Sequence, residues 1–416
     1  MKNYVLVGAG GRGYWMYATA ICERYGDVAR LAGIMDVNIK RAEYARRQLG
    51  QDIPVYTDFG EMMDQVRPDC VIVTTVDRFH SDYIVDALAR GADVISEKPM
   101  VINAQQCSAV LAAERQSGRP VTVTFNCRFM PLFSRMKELM RQDVVGEVLN
   151  VHFEWMLDTV HGADYFRRWH RKMENSGGLL VHKSTHHFDI VNWLIEQDPA
   201  EVFANGSLRF YGPQRGQRGE RCSTCAHRAC CEYAFDDGGE EWVRGMYFGC
   251  ESEDGYYRDR CVFADEIDIY DTMSLAVRYS KGALMSYSLI AHGPYEGWKM
   301  SISGTKGRME ARQFDSGMQA GEPTLQVELF DRSGNAVTHW LKKQGGAHGG
   351  GDERLLRMLF RGGEEDPLGR FATARDGAMS VLIGAAANLS IRENRPVSIN
   401  ELMGPTFAAG APQKAE

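Results

Sequence analysis

The stretch "YVLVGAGGRG", residues 4–13, decides the fold. An apolar run ends in Gly8, Gly10 and Gly13, a G-x-G-x-x-G. "YWMYATAICERYG" (14–26) follows with helical periodicity, and "ARLAGIMD" (29–36) is a second short apolar run closing on Asp36. The order strand, glycine loop, helix, strand, carboxylate is that of a dinucleotide-binding unit. Gly8 permits the tight turn, Gly10 lets backbone approach a pyrophosphate, and Gly13 lets helix and strand pack closely. Gly11 and Arg12 lie at the helix start, where free N–H groups and the positive dipole end favour phosphate. Asp36 is placed to accept hydrogen bonds from both ribose hydroxyls, which favours NAD over NADP, although the nearby Arg41 offers a phosphate a cation.

Outward from this unit the alternation continues. "PDCVIVTTV" (68–76), "ADVISEKPM" (92–100) and "PVTVTFNCRF" (120–129) are strand-like and are separated by helical segments. Such alternation predicts a doubly wound parallel sheet over residues 1–127, with ligand at the carboxyl ends of its strands. Two polar clusters fall at those ends. They are "TTVDRFH", with Thr74, Thr75 and His80, and "SEKP", with Glu97 and Lys98. From 128 to 394 the texture is β-rich, including "TMSLAVRYSKGALMSYSLIAHG", a hairpin turning at Ser280–Gly282, and a helix over about 374–392. This predicts an α+β domain with a large open, mostly antiparallel sheet. Residues 395–416 hold a short strand and a loose tail.

The bulk numbers exclude several classes. A chain of 416 residues with 44% hydrophobic and 25% charged residues is globular and too long for one ordinary core. A net charge of −7 offers no basic field for nucleic acid. No apolar run approaches ~18 residues, so no membrane span is expected. The amino terminus runs straight into a strand without a signal-peptide pattern, so a cytoplasmic protein with reduced cysteines is expected.

"LLVHKSTHHFDIVNWL" (179–194) crowds three histidines, a lysine and an aspartate among apolar residues. His182, His186, Asp189 and Trp193 fall on one helical stripe. Just upstream, "HGADYFRRWHRKMENSGG" (161–178) offers Tyr165, Arg168, Trp169 and His170, aromatic platforms edged by polar groups that suit a sugar. "RCSTCAHRACCEYAFDDGG" (221–239) lies in a Cys-rich insert over about 215–262. Cys222-x-x-Cys225 with Cys230 and Cys231 has the spacing of a structural zinc knuckle.

Taken together, "VGAGGRG", Asp36, "EKP" (97–99), "NCRF" (126–129), "GGLLVHKSTHHFD" (177–189), "SISGTKGRME" (301–310) and the closing helix before "RPVSI" resemble the Gfo/Idh/MocA family of sugar oxidoreductases. The resemblance spans about residues 1–400. It implies a Rossmann domain, a second domain whose open sheet mediates homo-oligomers, and an active site between them for a carbohydrate. Lys98 of "EKP" matches the family's motif lysine, at the reacting oxygen. Asn126 is expected at the cofactor and Arg128 at the substrate. The family pattern G-G-x-L-x-D-x-G-x-H-x-x-D aligns with 177–189, and this chain departs from it where His182 replaces the aspartate. His186 is then the general base, an imidazole suited to taking a hydroxyl proton near neutral pH.

The expected reaction is NAD-dependent oxidation of a secondary hydroxyl of a sugar, sugar derivative or cyclitol. An alternative is glycoside cleavage by transient oxidation and elimination, with a divalent metal on His182 and His186. A third class is a non-catalytic NAD-binding sensor, against which the retention of Lys98 with His186 argues.

Overall fold

Six short apolar runs form a parallel sheet: β1 Lys2–Val7, β2 Ala29–Met35, β3 Val55–Tyr56, β4 Cys70–Val73, β5 Asp93–Ser96 and β6 Val121–Val123. The computed structural model describes residues 1–363 and 365–403. In β1 and β4, Val5, Val7, Val71 and Val73 enter one core while Leu6 and Ile72 enter the other. Helices therefore cover both faces, which is why these strands are apolar throughout rather than alternating. The order is β3-β2-β1-β4-β5-β6. It reverses direction between β1 and β4, and that switch point opens a crevice at the carboxyl ends of the strands.

The second sheet contains β7 Val148–Asp158, β8 Pro199–Ser207, β9 Thr272–Tyr279, β10 Leu284–Gly293, β11 Gly297–Gly304, β12 Gly307–Phe314, β13 Thr324–Asp331 and β14 Ala336–Lys342. The chain then returns to the first sheet, where β15 Ala372–Thr373 pairs antiparallel with β6. β16 Val397–Ser398 closes the edge of the second sheet, whose order is β14-β13-β12-β11-β7-β10-β9-β8-β16. Only β7 and β10 run parallel. β9 alternates buried and exposed residues, so one face is covered and the other open. The covering helices include Ser184–Ile195 and Ala374–Glu393. The latter starts with a reciprocal cap between Thr373 and Asp376. β9 and β10 join in the hairpin expected at Ser280–Gly282.

The sequence reading placed no element between β14 and residue 374. The structure has the helix Gly351–Arg361 there, preceded by "GGAHGG". The insert between β8 and β9 carries a short helix, Glu241–Met246, and is tied together by Arg221, which pairs with both Glu251 and Asp259. Most of the expected tail, residues 404–416, lies outside the described residues. No helix among the described residues is long and apolar enough to cross a membrane.

Candidate active site

The glycine loop is dictated by close contact. A Cβ on Gly8 would sit 2.7 Å from the Thr74 carbonyl oxygen, and Gly8 has φ +98°, open to glycine. A Cβ on Gly13 would sit 2.2 Å from the Gly8 carbonyl oxygen. Thr74 braces the turn by donating its hydroxyl to that same oxygen at 2.6 Å. The Thr75 hydroxyl donates to the Val76 carbonyl at 3.3 Å. Asp36 ends β2 and is buried. It accepts from the Ala9 N–H at 2.8 Å, the Asn38 N–H at 2.9 Å and the Arg41 guanidinium at 3.2 Å. Burial raises its pKa against the pull of Arg41. A backbone that only glycine can adopt, backbone N–H groups at Gly10–Arg12 and a carboxylate after β2 are parts suited to holding a dinucleotide.

Arg12 turns into the crevice, donating to Glu97 at 2.7 Å and Asp352 at 3.2 Å. Burial works against the charge of Glu97. Arg12, Tyr17 and Lys98 outweigh it, and its pKa is lowered. Asn126 donates through Nδ2 to Asp352 and lies 3.0 Å from His348 Nδ1, while its Oδ1 is buried without a partner. His80 corrects the sequence reading. Its ring is buried, with Nδ1 2.9 Å from the Pro99 carbonyl and Nε2 3.1 Å from that of Thr75. Both nitrogens face backbone, so His80 braces β4 against the "EKP" turn rather than reaching the cofactor.

The histidine segment breaks at Lys183 into the helices Leu179–His182 and Ser184–Ile195. His182 donates from Nδ1 to the Asp77 carboxylate at 2.5 Å. Tyr165, Trp169 and His170 wrap the His182 ring at centroid distances of 5.5, 5.6 and 4.2 Å. Burial and the cations Lys98, Arg168 and Lys183 keep His182 neutral, its pKa well below the ordinary value. Lys98 Nζ lies 3.5 Å from the His182 carbonyl oxygen, and the Lys98–Pro99 peptide is cis. Burial pulls the Lys98 pKa down to about 8, against the attraction of Glu97 and Asp77. His186 sits 5.9 Å from the Phe125 ring and 6.5 Å from that of His348. Its buried Nδ1 has no partner, and burial reinforced by Lys98, Lys183 and His348 holds its pKa well below the usual value.

Further along, the stripe leaves the crevice. Asp189 is taken by Arg128, with Nε–Oδ2 2.8 Å and Nη2–Oδ1 2.5 Å, and both residues are buried. Arg128 is thus a scaffold cation beneath the helix, not the substrate contact expected from the sequence. His187 belongs to the core, stacked on Trp155 at 4.0 Å and bonded to the Tyr287 hydroxyl at 2.6 Å.

The upstream segment forms the helix Thr159–Arg167, capped by Asp158. His161 donates from Nδ1 to Glu296 at 2.9 Å and accepts at Nε2 from the Tyr165 hydroxyl at 2.9 Å. Trp169 stacks on His170 at 3.7 Å. Arg168 pairs with Asp164 at 3.3 Å, and its Nε is buried without a partner. Four residues around this crevice escaped the sequence reading: Asp77, Glu296, His348 and Asp352. The "GGAHGGGDE" pattern, a glycine run before an acidic first turn, was the available signal for the last two.

The zinc site expected at Cys222, Cys225, Cys230 and Cys231 is not formed. All ten cysteines are free thiols. Cys222 Sγ accepts from Arg167 at 3.5 Å and the Phe235 N–H at 3.3 Å, Cys225 Sγ accepts from the His227 N–H, and Cys230 donates to the His227 carbonyl. Among the described residues no three metal-ligating side chains converge. The cavity of about 330 Å³ that the thiols line also carries Arg215, Arg218, Arg221 and Arg228, cations that oppose a second positive charge.

Comparison with known proteins fits this geometry. Residues 2–125 match the family model described as "Oxidoreductase family, NAD-binding Rossmann fold", and residues 137–399 match "Oxidoreductase family, C-terminal alpha/beta domain". YteT of Bacillus subtilis is 38% identical, covering 97% of this chain and 99% of its own. Myo-inositol 2-dehydrogenase of Thermotoga maritima is 22% identical, over 91% of this chain and 93% of its own. Levoglucosan dehydrogenase, solved with NADH and levoglucosan, superposes with a TM-score of 0.69 at 18% identity, covering 96% of this chain and 99% of its own. A glycine loop, a carboxylate after β2 and an "EKP" turn facing a histidine helix, matched over both domains, make this chain a member of the Gfo/Idh/MocA oxidoreductase family.

Proposed function

We propose that the protein oxidises a secondary hydroxyl of a sugar, sugar derivative or cyclitol, with NAD preferred over NADP. The observation that carries this reading is the convergence of Lys98 with two neutral, buried histidines, His182 and His186, at the carboxyl ends of β4 and β5. Gly10, Gly11, Arg12 and Asp36 would hold the dinucleotide. When bound there, NAD would supply the hydride acceptor for the carbinol carbon. His186 takes the hydroxyl proton as general base, and Lys98, charged below about pH 8, donates to the reacting oxygen and stabilises its developing negative charge. Asp77 holds the His182 ring, so that its lone pair at Nε2 can take a neighbouring hydroxyl or relay the proton. Tyr165, Trp169 and His170 supply the aromatic wall. The substrate class also rests on the relatives, one named myo-inositol 2-dehydrogenase and another solved with levoglucosan. The open sheet is read as a homo-oligomer interface.

One observation favours a second reading, redox-neutral glycoside cleavage. The Asp77–His182 pair beside His186 supplies two acid–base groups. One could remove the proton next to the transient ketone while the other protonates the leaving oxygen, before water adds and the hydride returns. A panel of inositols, free sugars and aryl glycosides, followed by both nicotinamide absorbance and aglycone release, separates the readings. Tight NAD binding with no turnover of any alcohol or glycoside would defeat both.

A further inference from the structure

The insert does something its cysteines do not suggest. Its segment 241–258 leaves the second domain and docks across the first βαβ unit, over the place where a dinucleotide would lie. The Gly11 N–H, one of the loop donors suited to a pyrophosphate oxygen, donates to the Tyr247 hydroxyl at 2.9 Å. Trp242 lies 3.3 Å from the position a Gly11 Cβ would take and meets the Trp15 ring edge-on at 6.0 Å. The Asn38 amide donates to the Cys250 carbonyl at 2.9 Å. Arg41, already on Asp36, reaches Asp254 at 2.7 Å, and Lys40 pairs with Glu253 at 2.6 Å. Gly245 approaches Tyr44 so closely that a Cβ would fall 2.1 Å from its ring. Arg258 stacks on the Tyr247 ring at 4.4 Å, and its Nε and Nη1 are buried with no hydrogen-bond partner.

Unsatisfied buried guanidinium donors are costly, and they mark a place where an anion belongs. The Tyr247 hydroxyl takes the Gly11 donor that a phosphate oxygen would use, so on cofactor binding the phosphate would displace it from Gly11 and the freed phenol would donate to that oxygen. We infer that the insert is a dinucleotide clamp, in which Tyr247 and Arg258 bind the cofactor's pyrophosphate from the side opposite the glycine loop. This rests on the NAD-dependent reading of the site. A clamp anchored at Asn38, Lys40 and Arg41 also slows cofactor exit.

The test uses the full-length protein with NADH and ADP-ribose, which share the pyrophosphate but differ in the nicotinamide. Tyr247→Phe and Arg258→Gln should each weaken both ligands by roughly 10- to 100-fold, the scale of a lost charge-assisted hydrogen bond. NADH dissociation should quicken accordingly in displacement fluorescence. In the unmodified protein, NADH should slow amide exchange across 241–258 as well as at the glycine loop, a readout that needs no variant to fold. Unchanged affinities for both ligands, or exchange protection confined to the glycine loop, would overturn the clamp while leaving the oxidoreductase reading intact. Absence of NADH binding to the unmodified protein would overturn both together.

Discussion

Lys98 shows how one residue's surroundings set a testable pH profile. Burial lowers its pKa to about 8, so its charge, which the reacting oxygen needs, is lost as pH rises through that value. His182 and His186 are held neutral well below their ordinary pKa, so their basic forms are present across the same range. The rate constant kcat/KM for oxidation should therefore fall above about pH 8, and Lys98→Arg should move that limb out of range. His186→Ala and Lys98→Ala should each lower kcat by roughly 10²–10⁴, with little change in NAD affinity. A second prediction concerns Asp36. It holds the loop at Ala9, the turn at Asn38 and the Arg41 cation. Asp36→Ala removes the ribose acceptor and frees Arg41 toward a 2′-phosphate. The NAD-over-NADP preference should shrink by about tenfold or more in titrations of the two cofactors. Equal dissociation constants in the unmodified protein would reject the preference itself.

At the level of elements, the histidine helices are positioned by close packing. A Cβ on Gly384, in the helix Ala374–Glu393, would fall 2.3 Å from the Leu180 carbonyl oxygen, backbone that cannot swing aside. Gly384→Ala should cost about 1–3 kcal/mol in denaturant unfolding. It should also depress kcat more than it changes KM, because His182 sits two residues from the contact. Arg128→Met leaves Asp189 buried without its partner, a loss of about 3–5 kcal/mol. Substrate KM in the folded fraction should be unchanged; a KM increase with normal stability would restore Arg128 to the substrate. These two cases also mark what was legible in the sequence. The Gly8–Gly13 loop, Asp36 and the "EKP" turn are local patterns whose steric reasons lie within one βαβ unit or the strand beside it. The partners of His182, Gly11 and Arg12 are Asp77, Tyr247 and Asp352, each brought from a distant part of the chain by the fold. No spacing rule reports such pairs. The Cys-x-x-Cys spacing drew the reading of the insert toward metal. Its aromatic half, with Trp242 and Tyr247, carried no comparable motif.

For the whole molecule, the second sheet poses a question of coverage. Helices bury one face, and directly paired residues define the other: Phe203 opposite Ala276, Ala276 opposite Ser286, and Ser286 opposite His152. Leu284 stands one pair away, 51% exposed, and Phe203 is 38% exposed. Nine strands at about 4.8 Å spacing and roughly 25 Å length give a face of order 1,000 Å², which exceeds the ~800 Å² per partner of a standard interface. The face is mixed rather than greasy, and ion pairs such as Arg278–Glu201 and Lys299–Glu154 lie on it. That composition suits a self-complementary interface with a polar rim better than a surface built only to meet water. The protein should therefore sediment as a homo-oligomer at micromolar concentration. Phe203→Glu with Leu284→Glu places like charges on each partner's face and should yield monomers that still bind NADH. A monomeric unmodified protein, or an oligomer indifferent to both substitutions, would move the interface off this sheet.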